Sequence, residues 1–405
     1  MTETVTSLLL SYSLPALGGI IFISFLWIVT LYRSRVASVS RAIRQQTATA
    51  INPEAQSKLK GVSIVVVSGD DAESLELLLN RIFEQEFSAP MEVIVVNDGK
   101  NEDVKDVVTR MKHLSHRPNL YVTFTPTDLR NVSHIKLALT LGIKAANYPI
   151  IIAVTEQSRI YSTQWLARMA EPFANPKTEV VIGSALPSAK LDKQRHGRRY
   201  RSFINGFDAT EWLSSALRGK PYRGHRTNMA FTRNAFFAVG GFNGALNLRD
   251  GDDDIFIAKI ANKNNSAVVC AAQAAVRYTH PDPARLMRNE RQSRYFTRRH
   301  IGRSSAAFFG FSSLMIWTLI LAASLGITLS ALQQQWIPMG CFIGAILLTW
   351  LVLGITWRKT LKALRCRPIG LMILPRLLRR PFTNMKHKRY SRRHKGEYYT
   401  WSAKK

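Results

Sequence analysis

Acidic residues are scarce in this chain of 405 residues: 27 Asp and Glu stand against 56 Lys and Arg, a formal charge of +29. Cysteine is scarcer still. Cys270, Cys341 and Cys366 have no paired spacing, so neither a disulfide framework nor a zinc site is indicated. No internal repeat or low-complexity tract is evident. Three stretches lack charge altogether: Leu8 to Leu31, Ala306 to Leu332 and Ile337 to Trp357. Each reaches the roughly 20 residues that cross a bilayer as a helix. Runs this long make poor buried helices of a soluble protein.

The first run has Glu3 ahead of it and no Lys or Arg, whereas Arg33, Arg35, Arg41 and Arg44 follow. That is the reverse of an export signal and predicts an uncleaved anchor. The positive-inside rule puts Arg33 onward, the segment Arg298 to Arg303 and the tail after Trp357 in the cytoplasm, with the N-terminus and the uncharged Gln333 to Gln335 link outside. In the tail, Pro368 to Leu378 reads as an interfacial or re-entrant helix, and the cluster Lys386 to Lys395 follows it, with Glu397 the tail's one acid. Beside a membrane such a cluster attracts anionic headgroups at about 1 kcal/mol per basic residue. Nucleic-acid binding reads the same charge; the position just after a span disfavours it, and no nucleic-acid partner is expected.

Between the apolar runs the signals change. Thr47 to Lys60 is polar and reads as a linker. From Gly61 to about Pro283, apolar strands alternate with amphipathic helices: strands at Val62 to Val67, Glu92 to Val96, Leu120 to Thr125 and Pro149 to Val154, helices at Glu73 to Phe83, Glu102 to Leu114 and Val132 to Ala146. This predicts a mostly parallel sheet covered on both faces, and ligands of such sheets bind beyond the carboxyl ends of the strands. Those ends read Ser68-Gly69-Asp70-Asp71, Asn97-Asp98-Gly99 and Thr155-Glu156-Gln157. Further on, Gly251 opens into three consecutive carboxylates, Asp252, Asp253 and Asp254, before an apolar helical segment. Adjacent carboxylates repel, and a fold keeps such a cluster more readily where a cation, a proton transfer or a hydroxyl substrate uses it. A solvated, acidic helix start is the plainer alternative.

In order along the chain, VSIVVVSGDDAESLELLL from Val62, EVIVVNDG from Glu92, KLALTLGIKAA from Lys136, Trp165-Leu166, GHRTNMAFTRNAFFAVGGF from Gly224 and GDDDI from Gly251 resemble a family 2 glycosyltransferase. The resemblance implies a GT-A fold, an α/β and Rossmann-like architecture with helices on both faces of a mostly parallel sheet, here with three transmembrane helices. One anchor before the domain and two spans after it are similar to membrane-bound bacterial members. The implied organisation is an anchor at 1–32, a linker at 33–60, the transferase domain at 61–303, two spans at 304–357 and a basic tail at 358–405. It further implies transfer of a sugar from a nucleotide-sugar donor to a hydroxyl of a glycolipid or polysaccharide-precursor acceptor, at a bacterial inner membrane and on its cytoplasmic side. Asp70, Asp71 and Asp98, with Lys136, would bind the nucleotide. Asp252 falls on the family's base, with Asp253 and Asp254 beside it. Asn228, Arg294 and Tyr295 fall in the acceptor and diphosphate motifs.

The chain also departs from that pattern. The family's Asp-x-Asp metal motif reads Thr155-Glu156-Gln157. A hard divalent ion, Mg2+ or Mn2+, needs anionic oxygen ligands, and Glu156 is the acid that remains, with His280 as a second candidate ligand. Asn97 and Thr227 replace an Asp and an Arg of the family. Two expectations follow: an active transferase with an unusual metal site or with basic side chains (Lys136, Arg226, Arg291, Arg294) facing the diphosphate, or a catalytically degenerate GT-A protein acting as a membrane scaffold or partner subunit.

Overall fold

The computed structural model describes residues 2–99, 101–114, 119–126, 132–298, 300–301 and 304–394, with the side chains of 2–11, 114 and 304–308 excepted. Lys395 and Glu397 of the basic tail, and Arg299, Gly302 and Arg303 ahead of the second apolar run, lie outside the described residues.

Among the described residues, ten strands form two sheets: β1 (Val62–Ser68), β2 (Met91–Asn97), β3 (Leu120–Phe124), β4 (Ile150–Thr155), β5 (Ser158–Ile160), β6 (Val180–Gly183), β7 (Ala185–Pro187), β8 (Met229–Thr232), β9 (Ser266–Val269) and β10 (Val276–Tyr278). The main sheet has the order β3-β2-β1-β4-β8-β6-β9 and the small one β5-β10-β7. Strands β1 to β4 are mutually parallel, whereas β8 runs antiparallel to both β4 and β6. The chain moves outward from β1 through β2 to β3 and then returns to β1's other side with β4. The switch point therefore falls between β1 and β4, and their carboxyl ends frame a crevice.

The Val and Ile runs make these strands because both faces are covered. Val62, Ile64 and Val66 of β1 face one apolar cluster, with Leu75, Leu78 and Ile82 from the helix Ala72–Phe83. Val65 and Val67 face the other, with Leu139 and Ile143 from the helix His134–Ala145. The second cluster does not stop at the edge of the α/β domain. It continues through the helix Arg198–Leu217 into the long apolar helices. Phe207 stacks on Trp357 with ring centroids 4.8 Å apart and meets Phe309 edge-on at 5.6 Å. Burying such rings is the largest apolar contribution single residues make.

Among the described residues, three helical stretches are long and apolar enough to cross a membrane: Tyr12–Ala48, Phe309–Leu332 and Trp336–Ala363. The first corrects the expected linker. The helix Thr2–Leu31 passes through a π-helical turn, Tyr32–Val36, into the helix Ala37–Ala48. A further short helix, Pro53–Ser57, is capped by Asn52. Val39 and Ile43 are buried in the common core, and polarity alone hid that face. The interfacial stretch expected at Pro368 to Leu378 is the start of a longer element: a 3-10 turn, Gly370–Met372, then a helix over Ile373–Arg393.

Candidate active site

A cavity of about 510 Å³ occupies the crevice at the carboxyl ends of β1, β2 and β4. Gly69, Asp98, Thr155, Glu156 and Gln157 line its strand-end wall. Glu156 is nearly buried, and its Oε2 accepts hydrogen bonds from the Ser68 hydroxyl (2.6 Å) and the Gly69 amide (2.7 Å). Burial raises its pKa against the opposing pull of those two donors. Asp98 accepts from the Thr125 hydroxyl at 2.6 Å and lies 3.2 Å from His134 Nδ1. Asn97 faces inward instead; its amide exchanges two bonds with the backbone of Asn101 and shapes the loop that carries Asp98.

The opposite wall is built from the loop before β8 and the acid run. Gly251 has φ +106, and a Cβ there would meet Ile255 at 2.5 Å, so the turn into the three carboxylates requires glycine. The three side chains then diverge. Asp252 is fully buried, with Oδ2 3.0 Å from Arg226 Nε. Asp253 lines the cavity, 3.7 Å from Arg223. Asp254 begins the helix Asp254–Ile260 and accepts from the Thr297 hydroxyl, on the side away from the cavity.

Their acidities diverge in step. Burial raises Asp252, with Arg226 opposing. Burial also pushes at Asp253, but Arg223, Arg226 and His225 outweigh it and hold the carboxyl below its ordinary value. Burial and the neighbouring Asp253 raise Asp254 to about 7. Beside Asp253, His225 stacks on Tyr278 at 4.6 Å and points Nε2 toward Glu290, 3.8 Å away. Glu290 also accepts from the Tyr278 hydroxyl.

The remaining expected residues fall in three places. Asp70 is exposed and Asp71 caps the helix Ala72–Phe83 by accepting from Ser74; neither lines the cavity. Lys136 and Asn228 are buried in structural roles. The Lys136 ammonium donates to the carbonyls of Ala245, Leu248 and Asp250, each at 2.7 Å, and ties down the loop before the acid run. Asn228 accepts from Trp165 Nε1 at 3.0 Å and donates to Ser184 and Ala274. Arg294 and Tyr295 line a second, smaller cavity, where Arg294 pairs with Asp208 at 2.7 Å. Sequence reasoning passed over Arg223, His225 and Glu290. The first two stand in Arg223-Gly224-His225-Arg226, three basic groups in four positions directly ahead of a strand, which was the available signal.

The two candidate metal ligands are not brought together. Glu156 is held by Ser68 and Gly69, while His280 lines a separate cavity and accepts from the Asp282 amide through Nδ1. Among the described residues no three His, Cys, Asp or Glu side chains gather as a metal site. Glu156 and His280 therefore do not form one divalent-ion site.

The parallel half-sheet thus has a ligand crevice at its switch point, with Asp253, Arg223 and Arg226 on one wall. Residues 63–244 match the family model of glycosyl transferase family 2, and this part of the chain is a domain of that family. Among solved structures, the chain is similar to the mannosyltransferase PcManGT from Pyrobaculum calidifontis, in complex with GDP-Man and Mn2+, at 17% identity and a TM-score of 0.50 over 88% of this chain and 97% of that one. It is also similar to glucosyl-3-phosphoglycerate synthase from Mycobacterium tuberculosis, in complex with Mn2+, UDP-Glc and phosphoglyceric acid, at 14% identity and a TM-score of 0.41 over 64% of this chain and 86% of that one. At 17% identity the likeness to the mannosyltransferase is one of fold. No curated protein sequence matches the chain.

Proposed function

We propose that this protein is a membrane-anchored glycosyltransferase that moves a sugar from a nucleotide-sugar donor to a hydroxyl of an amphiphilic acceptor, with guanidinium groups in place of a metal ion at the diphosphate. The observation that carries this reading is the wall formed by Asp253, Arg223 and Arg226 in the crevice at the ends of β1 and β4. Asp98, fixed by Thr125, suits the base and ribose of the donor. Arg223 and Arg226 remain charged throughout any physiological pH, since Asp252 and Asp253 more than offset their burial. Two fixed guanidinium groups can stabilise a leaving diphosphate as a cation does.

In the reaction, the acceptor oxygen bonds to the anomeric carbon as the carbon–oxygen bond to the diphosphate breaks. The acceptor proton passes to Asp253, and the nucleoside diphosphate leaves between the arginines. Asp253 is ionised at neutral pH and is the member of the acid run that lines the cavity, which favours it over Asp252 as base. The basic flanks of the apolar helices support a bacterial inner-membrane setting, with this domain on the cytoplasmic side and the N-terminus outside.

A second reading, a degenerate GT-A protein serving as a scaffold, draws on the dispersed metal ligands and on the internal roles of Lys136 and Asn228. Calorimetric titration of UDP and GDP into the detergent-purified chain, with and without Mn2+, separates the two. Binding that needs no metal is the expected result. Binding that appears only with Mn2+ would overturn the role given to the arginines. A folded sample that binds neither nucleotide would favour the scaffold.

A further inference from the structure

A further cavity, of about 430 Å³, lies apart from the acid run and shares no lining residue with the cavities described above. Arg195, Arg198, Arg199, Arg367 and Arg376 line it together with Tyr200, and among the described residues no carboxylate does. Arg376 lies over the Tyr200 ring, 4.4 Å from its centroid, which holds that guanidinium in place. The Nε donors of Arg198 and Arg376 are buried without an acceptor. Buried donors left unpaired are costly, and five like charges around one space repel one another.

The backbone adds to this charge instead of offsetting it. The helix Arg198–Leu217 begins at the cavity, after Gly197 at φ +72, with no side-chain cap and no acid in its first turn. A helix start carries partial positive charge and favours Asp or Glu, yet this one opens with Arg198 and Arg199. An anion from outside the chain would satisfy both the helix start and the guanidinium groups. The cavity also meets an apolar ledge. Arg367 lies between the helix Trp336–Ala363 and the turn Gly370–Met372, and its amide donates to the Ser202 hydroxyl at 2.7 Å. The turn folds back on that long helix, where Trp350 Nε1 donates to the Leu371 carbonyl at 3.0 Å. Leu371 and Met372 stay exposed there, beside a helix suited to a bilayer.

We propose that this cavity binds the phosphodiester headgroup of an anionic phospholipid of the surrounding bilayer, with the acyl chains against Leu371 and Met372. Basic pockets beside membrane helices take such headgroups, and guanidinium groups bond phosphate oxygens in pairs. The site goes beyond the transferase reading, because it lies outside the chamber of the reaction. It holds the start of the Arg198–Leu217 helix and the turn after the last long helix to the same lipid, at the bilayer surface.

The test uses the full chain in a non-ionic detergent and three probes: dioctanoyl phosphatidylglycerol, dioctanoyl phosphatidylcholine and glycerophosphoglycerol, the first lipid's headgroup without its chains. Binding is read by calorimetry. Phosphatidylglycerol should bind at least about tenfold more tightly than either other probe, and the double variant Arg199→Gln with Arg367→Gln should weaken it about tenfold or more. Both arginines are exposed, so the variant should fold. Arg389→Gln with Arg393→Gln, two exposed charges of the basic tail, should leave the affinity unchanged. Glycerophosphoglycerol binding as tightly as the lipid would identify a site for a soluble phosphate compound and overturn the lipid assignment. Phosphatidylcholine binding as tightly would overturn the selection for net negative charge. Unchanged affinity in the Arg199 and Arg367 variant, or an equal loss in the tail variant, would overturn the site and leave only diffuse attraction between a basic protein and an acidic lipid.

Discussion

The two walls of the large cavity hold their carboxylates in opposite ways. At the strand ends, Glu156 and Asp98 accept from two hydroxyls and an amide, with His134 Nδ1 3.2 Å from Asp98 and no guanidinium partner. Across the cavity, Asp252 and Asp253 are countered by full charges on Arg226 and Arg223. Neutral donors orient a carboxylate and leave the site's net charge negative, whereas guanidinium partners cancel it and leave donors over for an incoming anion. The strand-end wall thus keeps its acidic character, and positive charge has collected on the other.

The largest effect expected is on the charged wall. Arg226→Met leaves Asp252 buried without a counter-ion, which costs about 3 kcal/mol or more of stability; chemical denaturation should show it, and the double variant with Asp252→Asn should recover most of it. If the single variant is as stable as the parent, the pair does not carry the charge balance described. Next comes transfer itself. Asp253→Asn should lower the rate by about a hundredfold or more while nucleotide affinity stays close to that of the parent. Asp252→Asn with the larger loss of the two would move the base one residue back.

A smaller effect separates Asp254 from both. Its carboxyl is raised from the ordinary 3.8 to about 7, so between those values the folded chain holds a proton that the unfolded chain has released. Stability therefore falls as pH rises through that window and levels off above it. Asp254→Asn should flatten the slope, as read from thermal unfolding across the pH range; an unchanged slope would assign it to another group. The smallest effect is expected at the strand-end wall. Thr125→Val removes one hydrogen bond to Asp98 at a cost of about 1 kcal/mol, and should weaken nucleotide binding by less than about tenfold. A larger loss would mean that Asp98 depends on Thr125 for more than orientation.

The sheet was legible because its strands are buried on both faces: the Val and Ile runs of β1, β2 and β4 have no other stable use. The apolar helices were legible for a similar reason. The site was legible only to the level of segments. Three consecutive aspartates look alike in sequence, and the turn at Gly251 together with the helix start at Asp254 decides which one faces the cavity. Lys136 and Asn228 carry the residue types of ligand contacts, yet three carbonyls and an indole claim them from inside the protein. A buried polar group that shapes a loop and one that grips a ligand read identically until their partners are known. The helix through Ala48 was missed because its buried side, Val39 and Ile43, is narrow within a polar stretch.

That helix has a mechanical consequence. Gln46 donates to Val268 and accepts from Cys270 and Ala271, and Thr47 accepts from Ala272, so the end of the first long helix is riveted to the loop after β9. From Leu31 to Ala48 the helix rises about 25 Å at 1.5 Å per residue. A stiff post of fixed length sets a working height. The domain does not sweep a volume as it would on a slack tether; it stands at one level above the apolar helices and meets whatever reaches that level. Each inserted residue would lift the post by about 1.5 Å and turn it by about 100°, so even a one-residue insertion after Leu31 would pull Gln46 out of register with its three partners.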